Sequence, residues 1–169
     1  MFERFGLKRK LSQDEEIKNS LKKAEKICNE LIGHSLKPLD ISGYNYTADE
    51  AIEELGLDDG LVHQLVEDYV IQILKSKSVF HNHIEDLKKA RQENTILDYT
   101  PLRELAHKNL GVARNLRIKD AQKILDELMT KDDLEYLSVC LEVLEACAIK
   151  LKPKCAYNTM KLIEIKNSI

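Results

Sequence analysis

Apolar residues recur along this chain in steps of three and four, the spacing that gathers side chains on one face of an α-helix. Ser12 and Glu15 stand in capping-box spacing. Ile17, Leu21, Ala24, Ile27, Cys28 and Leu31 follow at helical intervals up to Gly33, which predicts one amphipathic N-terminal helix. Residues 34–46, HSLKPLDISGYNY, mix proline, glycine and polar side chains without a period and are expected to form a linker. Thr47 and Glu50 repeat the capping-box spacing and open a short helix that should stop at Gly56. From Asp58 or Asp59 a long series begins: Val62, Leu65, Val66, Tyr69, Ile73, Phe80, Ile84, Leu87. It predicts one helix to about residue 92, with a turn at Gln92–Thr95.

Thr100-Pro101 restarts the pattern, with threonine as cap and proline at the first helical position, where its missing N–H removes no bond. Leu102, Leu105, Ala106, Val112, Ala113 and Leu116 continue it. After a break near Arg117, Ala121, Ile124, Leu125 and Leu128 mark a further helix. Asp132 or Asp133 caps the last long one, carrying Leu134, Leu137, Leu141, Leu144, Ala148 and Leu151 and ended by Pro153. Helices with one apolar stripe each must bury those stripes against one another. The expected fold is therefore all-α, an antiparallel four-helix bundle with additional N-terminal helices. The division follows: an N-terminal helix and linker over 1–46, the bundle over 47–152, and a tail over 153–169 that packs on the bundle as a short helix or a strand.

Composition changes this picture little. An apolar share of 43% in 169 residues supports one real core. Charged residues reach 33% but nearly cancel, at net −3, so no broad field of one sign invites nucleic acid or an anionic membrane. The basic start FERFGLKRK is short and reads as a solvated tail. It lacks an apolar stretch of signal-peptide length, and no window approaches the roughly 20 apolar residues of a membrane span, so a cytoplasmic protein with reduced thiols is expected. Cys28, Cys140, Cys147 and Cys155 form no CxxC pair and have no histidine at metal-ligand spacing, and Cys140 and Cys147 read as core residues. His81-Asn82-His83 spells a tripeptide known from nucleases, yet it lies within a continuous helical pattern and reads as a solvated face. His34 and His63 have no partners that suggest catalysis.

The stretch ELAHKNLGVARNLRI, Glu104–Ile118, carries more information. At about 100° per residue, Leu102, Leu105, Asn109, Val112, Ala113 and Leu116 should face the bundle, which leaves His107 in solvent. Arg103, Leu110, Gly111 and Arg114, at −4, +3, +4 and +7 from it, are expected on the same exposed stripe. A glycine within a helix costs roughly 1 kcal/mol relative to alanine. Its place one turn from an exposed histidine is explained by clearance, because a partner's active site can approach the ring over a position without a side chain. Imidazole suits reversible phosphoryl transfer because it is nucleophilic when neutral, and Arg103 and Arg114 are placed to offset phosphoryl charge.

Leu105-Ala106-His107 followed by Gly111, Ala113 and Leu116 is similar to the signature of histidine phosphotransfer domains, and the flanking helices match in order and length over about residues 47–152. The resemblance implies phosphorylation of His107, with Arg103, Lys108, Leu110, Gly111 and Arg114 as supporting or docking residues. It implies a response-regulator receiver domain as partner, with a hybrid histidine kinase as a further candidate, and no cofactor of the chain's own, since the receiver brings magnesium. The chain departs from the family where an apolar residue and a lysine usually follow the histidine at +2 and +3. Asn109 and Leu110 stand there, and a lysine is displaced to Lys108. Arg103, Lys108 and Arg114 together are expected to supply the positive charge. Two other readings stay open: a pseudo-phosphotransfer bundle that only binds protein, and a structural bundle whose N-terminal helix mediates assembly.

Overall fold

Most long helices of this chain begin where a polar side chain satisfies a free backbone N–H, as helix starts require. In the computed structural model, which describes residues 11–168, Ser12 caps α1 (Gln13–Ile32) by accepting from the Glu15 N–H at 3.2 Å. Asp58 likewise accepts from Leu61 at the start of α3 (Asp59–Gln92), at 2.8 Å. Asp133 does so from Tyr136 at the start of α6 (Leu134–Leu151), at 3.1 Å. The stretch FERFGLKRK lies outside the described residues.

Between these run α2 (Asp49–Leu55), α4 (Thr100–Asn115) and α5 (Lys119–Thr130), and α7 (Pro153–Asn167) closes the chain. All are helices, and no strand occurs among the described residues. The tail is therefore α7, which Pro153 begins in the helix-starting position it tolerates. Two caps differ from expectation. Thr47 does not cap α2, which begins after Ala48 without a side-chain bond, although the helix does stop at Gly56, whose φ of 65° suits glycine. The start of α4 is held by Asp98, which accepts from the Thr100 N–H at 3.0 Å.

Packing centres on α6. Leu137, Cys140, Val143, Leu144, Cys147 and Ala148 are all buried, a wider arc than the one stripe expected, and only Glu135, Glu142 and Lys150 of α6 stay exposed. Its neighbours are α1, α3, α5 and α7, while α4 packs against α3 and α5. The apolar-rich sequence of 134–151 is the cause, because it leaves only a narrow polar strip, Glu135, Glu142 and Lys150, to meet water.

Residues 34–46 are largely exposed but anchored at several points. Leu36 and Ile41 join the same core as α1 and α3–α7. Tyr46 donates to the Leu116 carbonyl at 2.7 Å, Tyr44 donates to that of Arg117 at 3.2 Å, and the Lys119 N–H donates back to Tyr44 Oη at 3.1 Å. These bonds strap the segment across the α4–α5 turn, where Arg117 adopts a φ of 61° and pairs with Glu50 and Glu54 of α2. No helix among the described residues is long and apolar enough to cross a membrane.

Candidate functional site

Helix α4 buries Leu102, Ala106, Asn109, Leu110 and Ala113 against its neighbours, and Leu116 closes the stripe. His107, Lys108, Gly111 and Arg114 are exposed on the other side. A Cβ built at Gly111 would meet nothing within 4 Å, so this glycine is not there for close helix packing. The histidine and the bare position thus share an open face one turn apart, at +4, where helical neighbours lie side by side.

Leu110 is a correction. It was expected on the exposed stripe, yet it is 1% exposed. A step of three residues rotates about 60° back from His107, and α4 is flanked by both α3 and α5, so its buried arc is wide enough to take in that position. Val112, expected inward, is instead 39% exposed. Of the residues expected to support His107, Lys108, Gly111 and Arg114 are exposed.

Arg103 is engaged elsewhere. Its Nη1 donates to the Leu128 carbonyl at 2.8 Å and its guanidinium lies 4.6 Å from the centre of the Tyr99 ring. Burial at this seam with α5 lowers its pKa. Lys108 and Arg114 make no ion pair with any other described residue and stay available to an incoming anion. Asn109, 1% exposed, donates through Nδ2 to the Leu105 carbonyl at 2.9 Å, while its Oδ1 has no partner.

The described cavities lie away from this face. One of about 1080 Å³ is lined from α3, α6 and α7 by residues such as Leu74, His81, Glu145 and Ile163. Another, of about 490 Å³, gathers Tyr46, His63, Asp120, Cys147 and Lys150. In it His63 Nε2 lies 3.2 Å from Asp59 and its Nδ1 lies 3.1 Å from Lys152 Nζ. Sequence reasoning missed this second cluster. Its members come from α3, α5, α6 and the segment before α2, and only the i,i+4 step between Asp59 and His63 was legible beforehand. His81 and Asn82 are exposed on α3.

No family model matches the chain, and neither a curated protein nor a solved structure shows detectable similarity to it.

Proposed function

We propose that this protein is a cytoplasmic phosphocarrier of the histidine phosphotransfer type, with His107 as acceptor. On this reading α3–α6 form an antiparallel four-helix bundle. The packing of α3 on α4, α4 on α5, α5 on α6 and α6 on α3 supports a closed ring of four neighbours. The observation that carries the proposal is the exposed imidazole beside an unobstructed Gly111 on a helix otherwise fixed by its buried side.

In the reaction, a ring nitrogen of His107 attacks the phosphorus of an aspartyl phosphate on a receiver domain. The N–P bond forms as the acyl phosphate P–O bond breaks, and the carboxylate leaves. The receiver contributes the magnesium and most of the charge stabilisation, which explains why a flat helical face without a concavity is sufficient. Lys108 and Arg114 supply the local positive charge, while Arg103 holds the α4–α5 seam.

A second reading is favoured by one observation: with Leu110 buried, no cation stands at +3. A bundle of this shape that binds a receiver without accepting phosphate fits that feature.

Incubation with a phosphorylated receiver domain, followed by mass spectrometry under alkaline conditions, separates the two. The carrier predicts acid-labile, base-stable phosphate on His107 that is lost in His107→Gln. Binding without phosphate on the parent chain, and unchanged binding by His107→Gln, would establish the second reading instead.

A further inference from the structure

Cys28 of α1 and Cys147 of α6 place their sulfurs 3.9 Å apart, both as free thiols and both buried. A disulfide needs about 2.05 Å between sulfurs, so the pair must close by roughly 1.9 Å to form one. Most buried cysteines are inert because nothing reaches them. Here Cys147 forms part of the wall of the cavity of about 490 Å³, and Lys150 on the same wall is exposed, so the cavity opens to solvent beside the thiol. The other two cysteines lack this arrangement. Cys140 is buried with its pKa pushed up to about 12, chiefly by that burial, and Cys155 donates to the Glu67 carbonyl at 3.8 Å.

We propose that Cys28 and Cys147 are a redox-responsive dithiol that a small hydroperoxide entering this cavity converts into a disulfide, stapling α1 to α6.

The groups around the pair fit each step. The hydrogen bond to Cys28, and then burial, hold the Cys147 thiol protonated well above the usual range, so its proton must be removed locally. Asp120 is the acceptor, since it lines the same cavity as Cys147 and burial raises its own pKa. The Cys147 sulfur attacks the terminal peroxide oxygen; the S–O bond forms, the O–O bond breaks, and the departing alkoxide takes the proton from Asp120. Cys147 is then a sulfenic acid. In the reduced pair the hydrogen bond from Cys147 lowers the pKa of Cys28 against the opposing effect of burial, and the charge of Lys150 also favours its anion. Cys28 attacks the oxidised sulfur; the S–S bond forms, the S–O bond breaks, and hydroxide leaves to become water with the proton from Cys28. Two thiols have lost two electrons to one peroxide.

The linked positions are 119 residues apart, so the bridge removes much freedom from the unfolded chain. It also fixes α1 to the body of the fold. This inference does not depend on His107.

The test treats the full chain with hydrogen peroxide, alkylates the remaining thiols, and maps unreduced peptides by mass spectrometry. One Cys28–Cys147 cross-linked pair is expected, with Cys140 and Cys155 still alkylatable. The Tm should rise by roughly 5 °C or more and return to its starting value with reductant. In Cys28→Ser, Cys147 should be trapped as a sulfenic acid that a dione reagent labels. The proposal fails if Cys28 and Cys147 both stay alkylatable while Cys155 is consumed, or if Cys147 oxidises further without cross-linking in the parent chain.

Discussion

Gly111 can be tested for stability and for function separately, because a Cβ there meets nothing within 4 Å. Gly111→Ala adds helix propensity worth about 1 kcal/mol and should raise Tm by about 2–4 °C in thermal denaturation. Gly111→Leu should be no less stable than the parent, since its side chain also extends into open space, yet it obstructs the approach to His107. Under the carrier reading its phosphoryl transfer rate should fall about a hundredfold. Parent-like transfer by Gly111→Leu would show that clearance is not why glycine stands there. Asn109 offers the converse case, a residue that lowers stability. Its buried Oδ1 has no partner, while the Leu105 carbonyl it donates to keeps the helix's own bond. Asn109→Leu retains the branching and removes the orphan, and should stabilise by about 1 kcal/mol in chemical denaturation. A destabilised Asn109→Leu would mean that the pocket cannot take two methyl groups.

Helices announced themselves unevenly. The long α3 was readable along its length because Val62 to Leu87 hold one period through most of its 34 residues and Asp58 supplies the cap. Periodicity alone could not show that α6 is central, because its packing against α1, α3, α5 and α7 depends on partners distant in sequence. The segment at 34–46 reads as a linker because it has no period, and its attachment to the α4–α5 turn through Tyr44 and Tyr46 could not be read from that. At the candidate site, the exposure of His107 and Gly111 was legible from helical rotation. The burial of Leu110 was not, because it depends on how far α3 and α5 wrap α4. Leu36 tests the anchored segment. It is fully buried outside any α-helix, so Leu36→Ala should cost about 2–4 kcal/mol, the range for emptying a core site, where a true linker would lose almost nothing. Urea denaturation distinguishes the two, and a loss below about 0.5 kcal/mol would mean that Leu36 adds nothing to the core.

The places where separate helices meet govern how the whole molecule responds to pH. Asp120 begins α5 beside Cys147 of α6, and burial raises its carboxyl pKa above the ordinary value even though the Ala121 N–H donates to it at 2.7 Å. At neutral pH the folded chain therefore carries a carboxylate that unfolding would release into water, and the cost fades as pH falls from above the folded pKa. It is gone below about 4, where the unfolded carboxyl is protonated as well. Glu135 works in the opposite direction, because its hydrogen bonds from Arg91 hold it down at about 2, so its contribution is lost as acid protonates it. Comparing Asp120→Asn with the parent cancels Glu135, which both chains share. Asparagine can still accept from Ala121 but is never charged, so the variant should melt higher than the parent at pH 7, and the gap should shrink steadily towards pH 4. A variant that melts lower at pH 7 would mean that the bonds of the ionised carboxylate outweigh its burial. Asp120 would then stabilise the junction of α5 and α6 as an anion, and the parent would lose stability in acid where a gain is predicted.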